Sequence, residues 1–510
     1  MEMVDVVVVG AGPVGLLTAI ELTVHGARVM VLERLAAPST AMKALSVGAL
    51  GSEALQRRGM GAALATAEAR SLAAIAEFSA QSGTDLAKRA SRFSGHFAGL
   101  PVRRDPQAEP DRCARMVDQP AVEAMLGERA LALGIDLRRG CDVTRVTQQA
   151  DGVEVEWTSP AGAGHLRCAY LVACDGGRSS IRKMAGFAFP GTTPTLTMYQ
   201  AIGEIDHPER LLPVGWNRTP GGVFSCGPFP GRLFMLDFSG PPADRDAPVT
   251  REEIDVVLRR VSGADVRVRR LESASRWTDH TRLADSYRRG RILLAGDAAH
   301  IHPPFGAQGL NLGLVDAANL GWKLAAVLRG DMADALLDSY DDERRPVAEA
   351  VLANTRAQVA LLRPDPQSGA MRDLFASLMQ SDDATRFIAG MMSGLSTHYD
   401  LGPGPDELGR LLGDRRIRAR TGEFSLHELM ADGKWVLLDA SGGQEASLLA
   451  AAATDGIRCV ALEDSPSLLI RSDACVAWVG EAGGIGGLRE ALRRWFAPVP
   501  EAACPEPSRA

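Results

Sequence analysis

Two residue types in this chain are spaced for chemistry on a bound molecule: glycines that end an apolar run, and acids placed directly after one. Gly10-Ala11-Gly12-Pro13-Val14-Gly15 follows the β-branched run Val6 to Val9. In such a turn Gly10 makes the tight bend, Gly12 removes the side chain where a pyrophosphate must approach, and Gly15 lets the next helix pack closely. Glu33 closes a second apolar run, Val29 to Leu32, about 20 residues further on, and suits the ribose hydroxyls of an adenosine. Far along the chain, Gly296 and Asp297 follow Ile292 to Ala295, and Asp175 with Gly176 and Gly177 follows Tyr170 to Cys174. A carboxylate at a strand's C-terminal end faces the ligand crevice of an open α/β sheet, where it accepts hydrogen bonds from sugar-like hydroxyls.

The elements that must hold these residues are legible around them. Leu16-Leu17-x-x-Ile20-x-Leu22 is a helical pattern closed by Gly26, so strand, turn and helix stand in the order that dinucleotide binding requires. After Asp297, Pro303 and Pro304 stiffen a loop, Gly306 and Gly309 open it, and a helix begins near Leu310. Its N-terminus offers unpaired N–H groups to an electron-rich, anionic partner. Another helix is expected over Pro120 to Leu133, a hairpin over Asp142 to Val146 and Val153 to Trp157 about Asp151-Gly152, and an irregular insertion over 75 to 118.

At 510 residues the chain is long enough for about three domains. Its net charge of -7, with both signs dispersed, points away from nucleic acid and from anionic membrane surfaces. The 8 cysteines form no C-x-x-C pair and no metal spacing, and no apolar run is long enough to span a bilayer. A cytoplasmic protein with reduced thiols is expected. Between Pro190 and Arg270 short strands alternate with turns, including Gly203 to Ile205, Gly221 to Ser225 and Leu233 to Asp237, and Thr250 with Glu253 forms a capping box. A mainly antiparallel sheet with one helix fits a substrate domain. Phe97, Trp216, Phe224 and Phe234 are the candidates for its pocket wall.

Together the three strand-end motifs resemble the FAD-dependent aromatic hydroxylases, single-component flavoprotein monooxygenases related to para-hydroxybenzoate hydroxylase. By that resemblance Gly10, Gly12, Pro13, Gly15, Glu33 and Arg34 bind the ADP half of FAD. Asp175, Gly176, Ser179 and Arg182 match its D-G-x-x-S-x-x-R motif, associated with FAD and NAD(P)H, and Gly296 and Asp297 match its G-D motif, with Asp297 on the ribityl chain. Gln119 falls at a polar FAD contact. Pro303, Pro304, Gly306, Gly309, Leu310 and Asn311 pass the isoalloxazine ring. Lys43 stands where many relatives have a basic residue and is assigned to a flavin phosphate or carbonyl, but Leu50 replaces their following arginine. His300 and His302 are assigned to the flavin loop rather than to a metal, because no carboxylate third ligand is evident.

The resemblance covers nearly the whole chain and implies an α/β fold: a Rossmann-like FAD-binding domain (1–74, 103–182 and 271–390), interleaved with a mainly antiparallel substrate domain (75–102 and 183–270), then a thioredoxin-like C-terminal α/β domain (395–510). The last lacks C-x-x-C, which assigns it to packing or to homodimer formation. Gly95 to Gly99, Arg276 to Thr278 and Tyr340 to Pro346 look like the branch acting on polycyclic aromatic polyketides. The implied reaction consumes NAD(P)H, with NADPH favoured, and O2, and hydroxylates the substrate through a flavin C(4a)-hydroperoxide. Baeyer-Villiger insertion, or a flavoprotein that binds a reactive intermediate without oxygenating it, are the alternatives. A catalytic acid or base is not identified.

Overall fold

The computed structural model describes residues 3–39, 44–82, 92–105, 109–211, 214–229, 231–442, 445–462, 466–480 and 484–496. Lys43 and the segment 501–510 lie outside them. Within this range the first apolar run becomes strand Met3–Val9, flanked in parallel by Val29–Glu33 on one side and by Gly162–Ala173 on the other. Ile292–Leu294 adds a further parallel strand beyond Gly162–Ala173, and Asp136–Arg139 one beyond Val29–Glu33. Met3–Val9, Val29–Glu33 and Ile292–Leu294, with the C-terminal half of Gly162–Ala173, are apolar and largely buried on both faces, the pattern of a parallel sheet covered by helices. Pro13–Val24, Gln119–Ala132 and Gln308–Arg329 provide helical cover.

Register carries the functional consequence. Val9 is level with Leu32 and with Ala173, and Ala173 is level with Leu294. All four strands run in one direction, so Gly10, Glu33, Asp175 and Gly296-Asp297 emerge at the same edge. The chain also reverses its order of strand addition at Met3–Val9, and a crevice opens beyond the C-terminal strand ends at such a switch point.

The middle of the chain forms a separate antiparallel sheet in the order Gly215–Thr219, Gly222–Cys226, Arg232–Asp237, Thr197–Ile205, Val268–Thr278. Helix Arg251–Ser262 covers one of its faces, with Ile254, Val257, Leu258 and Val261 buried against it. Only half of the expected capping box forms. Thr250 accepts from the Glu253 N–H at 3.1 Å, but the Glu253 carboxylate turns to the Tyr199 hydroxyl and Arg276. The segment expected to be irregular is more ordered than its composition suggested: helix Gly61–Ser82 runs into it, and Phe93–Phe97 pairs with Leu100–Arg103 as a hairpin. Ala98 and Gly99, at φ 50° and 77°, make its tight turn.

The C-terminal sheet runs Ile457–Ala461, Trp435–Asp439, Leu468–Ile470, Val476–Val479, with Glu445–Ala453 and Leu488–Trp495 as its helices. A buried ionic cluster joins it to the long helices. Arg471 pairs with Glu343 at 2.7 Å, Lys323 approaches the same carboxylate at 2.9 Å, and Arg471 lies over the rings of Trp322, Tyr399 and Trp495. No helix among the described residues is long and apolar enough to cross a membrane.

Candidate functional site

The glycine turn divides its labour sharply. A Cβ on Gly10 would lie 2.4 Å from the Cys174 carbonyl oxygen and one on Gly15 1.9 Å from the Gly10 oxygen, whereas at Gly12 the space within 4 Å is open. Two glycines therefore close the turn and the third leaves a concavity before helix Pro13–Val24. That helix starts without a side-chain cap and without an acid in its first turn, leaving its N–H groups and partial positive charge for a ligand. Glu33 holds the rim: its two carboxylate oxygens accept from the Ala11 and Leu35 N–H groups, each at 2.7 Å. Pro13, Arg34 and Gln119 line the same space, Gln119 donating to Glu123 at 2.8 Å.

The two later acids behave differently. Asp175 Oδ2 caps the short helix Ser180–Met184, accepting from the Ser180 and Ile181 N–H groups at 2.8 and 3.2 Å, while Oδ1 is buried without a partner among the described residues. Arg182 ties this loop to the next, donating to the Gly177 and Ala298 carbonyls at 3.0 and 2.9 Å. Asp297, by contrast, is exposed to the cavity and accepts no hydrogen bond from the described residues. Its backbone is fixed by its neighbour: Gly296 adopts φ 61°, where a Cβ would press on Val14 at 3.0 Å.

The loop after Asp297 ends at helix Gln308–Arg329, two residues earlier than its apolar pattern suggests. Gly306 and Ala307 are both left-handed, at φ 74° and 53°, which turns the helix N-terminus toward the cavity, again with no side-chain cap. Gly309, Leu310 and Asn311 line that end with Pro304, and the Asn311 carboxamide oxygen accepts from the Gly48 N–H at 2.7 Å. His300 and His302 do not converge. His300 Nε2 is 2.7 Å from Asp316 Oδ2, so a carboxylate absent from the local pattern does reach it, but Arg344 already pairs with that group at 2.8 Å. His302 Nδ1 donates to the Pro303 carbonyl at 2.8 Å, and burial keeps its ring neutral, with a pKa pushed down to about 4. Asp316 is a site-organising residue that no motif exposed, and Arg344, inside the Tyr340 to Pro346 stretch, was singled out there without this role.

Opposite the loop stands the face of the antiparallel sheet turned away from helix Arg251–Ser262. Directly opposed residues share a face, so the register sets Trp216, Ser225, Phe234 and Gln200 in one row, with Arg232 and Trp277 beside it. All six line the cavity. The Trp216 ring lies 5.6 Å from Phe234, 6.2 Å from Phe305 in the loop and 4.6 Å from His96. Two expected wall residues are elsewhere. Phe224 is one position out of phase, fully buried beneath helix Arg251–Ser262, and Phe97 is buried behind the wall, stacked on Phe375 at 5.0 Å. Gln200, Ser225 and Arg232 take positions that apolar character alone could not pick out, and Trp277 joins them.

A single cavity of about 1290 Å³ connects the glycine turn, Asp297, the proline loop and this wall, more than the 300–1,000 Å³ of a usual single-ligand pocket. One end is built for a polyanionic dinucleotide and the other for a flat apolar molecule, the division of a flavin-dependent oxygenase. The chain matches the FAD binding domain family over residues 3–355 and the aromatic-ring hydroxylase C-terminal family over 406–499. It is 40% identical over 97% of its length to the 12-dehydrotetracycline 5-monooxygenase/anhydrotetracycline 6-monooxygenase of Streptomyces rimosus, covering 99% of that protein. To a rifampicin monooxygenase of Streptomyces venezuelae it is 37% identical, over 94% of this chain and 96% of the other. The solved anhydrotetracycline hydroxylase OxyS from Streptomyces rimosus superposes with a TM-score of 0.85 at 38% identity, over 98% of this chain and all of that one. The chain belongs to the FAD-dependent aromatic-ring hydroxylases and is a FAD-dependent monooxygenase.

Proposed function

We propose that this enzyme uses NADPH and O2 to hydroxylate a polycyclic aromatic polyketide. The observation that carries the reading is the continuity of the cavity, from the Gly10–Gly15 turn past Asp297 to the wall of Trp216, Phe234 and Trp277. Gly10, Gly12, Pro13, Gly15, Glu33, Arg34 and Gln119 are assigned to the ADP half of FAD, Asp175, Gly296 and Asp297 to its linker and ribityl chain, and Pro304, Gly309, Leu310 and Asn311 to the flavin ring. Bound FAD supplies electron transfer from the nicotinamide and activation of oxygen. The protein's own contribution is placement and exclusion. The uncapped helix end at Gln308 offers N–H groups to negative charge on a bound ring. The aromatic wall keeps water from that ring and lays a flat substrate against it. Atoms balance as substrate–H, O2, NADPH and H⁺ giving substrate–OH, H2O and NADP⁺.

The three-unit division into 1–74 with 103–182 and 271–390, 75–102 with 183–270, and 395–510 follows the same reading. Its test is turnover of the FAD-loaded enzyme with NADPH and anhydrotetracycline in air. A product heavier by one oxygen with its ring skeleton intact is expected, with NADPH oxidation stimulated by the aromatic compound. Ring expansion identifies insertion instead, and unstimulated NADPH oxidation without an oxygenated product overturns the reading.

A further inference from the structure

Helix Asp382–Ser393 turns the face of its last turn to the cavity, and that face is made of short side chains with one exception. Ala389, Gly390 and Ser393 line the cavity beside Met392, so the thioether is the group that reaches furthest inward. It meets the loop whose Pro304 and Gly309 are assigned to the flavin ring: a Cβ on left-handed Gly306 would lie 3.1 Å from the Met392 methyl carbon. Met392 packs on the cluster that holds Phe234 and Phe305, and it is only half-buried there.

The chemistry of the position follows from the sulfur. A thioether carries a polarisable lone pair and takes up an oxygen atom without breaking any bond of its own, whereas each aromatic ring of the wall must give up a C–H. Cys141 and Cys174 also line the cavity, but they stand at its dinucleotide end, beside Glu33 and beneath Gly10, and burial pushes both thiols up. We propose that Met392 is an internal oxygen acceptor: when no aromatic substrate covers the wall, the enzyme oxygenates its own Met392 thioether to the sulfoxide. This rests on the proposed use of NADPH and O2 and adds a protein side chain as a second outlet for the same oxygen. A sulfur–oxygen bond forms on the lone pair, the O–O bond breaks and the other oxygen leaves as water. Atoms balance as Met392 thioether, O2, NADPH and H⁺ giving Met392 sulfoxide, H2O and NADP⁺. The sulfoxide sets a polar, chiral group against Gly306 in place of an apolar one, and a methionine sulfoxide reductase reverses it.

The test turns over the FAD-loaded enzyme with NADPH and catalase in heavy-isotope dioxygen, with no aromatic compound present. In a second arm the flavin is reduced under argon by light and EDTA, then mixed with the same gas and catalase in the dark. Peptide mass spectra, with fragment ions that separate Met392 from Met391, follow the label at each methionine. Labelled sulfoxide is expected at Met392 in both arms, about tenfold or more above that at Met371, which is 57% exposed. Hydrogen peroxide added without a reductant gives the opposite order, because free oxidant reaches Met371 first. The same order with peroxide alone overturns the proposal, since Met392 is then merely reactive. Label at Met392 after photoreduction but not with NADPH overturns the nicotinamide part of the functional reading and leaves the acceptor standing. Flavin reoxidation with Met392 unlabelled, or labelled no more than Met371 or Met116, overturns the acceptor and leaves the functional reading standing.

Discussion

Arg344 Nε lies 2.8 Å from Asp316 Oδ1 with both side chains fully buried, and Asp316 Oδ2 accepts from the Gly296 N–H at 3.1 Å beside His300 Nε2 at 2.7 Å. One carboxylate thus fastens the start of the Gly296-Asp297 turn to the two long helices. Arg344 carries the link on to the Tyr399 hydroxyl at 3.0 Å. Burial pushes the Asp316 carboxyl up, but Arg344 and then His300 outweigh it and hold the group below its ordinary value. Asp316→Asn leaves an acceptor for Gly296 but strands a buried guanidinium. Removing one partner of a buried pair costs about 3–5 kcal/mol. The expected result is a loss of that order in chemical denaturation, together with weaker FAD retention on gel filtration. The stabilisation by the ion pair is fully present above the unfolded carboxyl value of 3.8 and is lost as pH falls through the lower folded value.

Gly12 and Gly15 are predicted to fail in different ways. A Cβ at Gly12 enters open space, so Gly12→Ala folds with nearly unchanged apoprotein stability yet crowds the pyrophosphate position, weakening FAD binding by about tenfold or more, ~1.4 kcal/mol. At Gly15 the same atom meets the Gly10 carbonyl at 1.9 Å, and the helix must move off the strand. Gly15→Ala therefore lowers the melting temperature of the apoprotein as well as flavin content. Melting curves with and without FAD separate the two.

The sequence exposed the parts of this architecture that repeat a local rule. Strand-end acids and glycines declare themselves through an apolar run and a turn residue, and the parallel register then brings the motifs at 10, 175 and 296 to one sheet edge. Helix Leu488–Trp495 and the Leu468–Val479 hairpin were legible for the same reason. What stayed hidden depends on pairing between distant segments. Asp316 sits in an apolar helix and Arg344 in a charged one, and neither shows that the two meet across 28 positions. The hairpin at Phe93–Arg103 was obscured because its turn, Ala98-Gly99, puts an alanine in the left-handed region that usually calls for asparagine or glycine.

His25 predicts an acid-sensitive joint between the first helix and the C-terminal unit. Its Nδ1 is 2.7 Å from the Glu21 carbonyl, and its Nε2 is 2.9 Å from the Gly433 carbonyl and 3.2 Å from the Ser472 hydroxyl. Burial, then the nearby Arg58, holds its pKa at about 3, so the folded ring is neutral and its single N–H donates to one of the two carbonyls it faces. Between pH 6.5 and 3 the unfolded chain binds the extra proton. Stability is therefore complete above about pH 6.5 and is lost as pH falls toward 3, at about 1.4 kcal/mol per pH unit for this one proton. His25→Gln is expected to reduce the slope of unfolding free energy against pH by that amount over this window. An unchanged slope means that His25 does not titrate on unfolding.

Phe224 and Trp216 test the parity of the middle, antiparallel sheet. Phe224 pairs with Met235, a fully buried residue facing helix Arg251–Ser262, whereas Ser225 pairs with Phe234 on the cavity side. A slip of one residue exchanges every side chain between the two faces, which is why apolar character selected Phe224 and the register rejects it. Phe224→Ala removes a fully buried ring and should cost about 3–5 kcal/mol of stability. It leaves the KM for the proposed aromatic substrate within about twofold, because no atom of the wall is lost. Trp216→Ala does the reverse. It opens the wall between Phe234 and Phe305, raising KM by about tenfold, ~1.4 kcal/mol, and increasing the share of NADPH oxidised without product, while melting shifts less than in Phe224→Ala. Steady-state kinetics with product counting, set beside urea denaturation of both variants, decides the matter: a KM effect confined to Phe224→Ala places the substrate on the other face of the sheet.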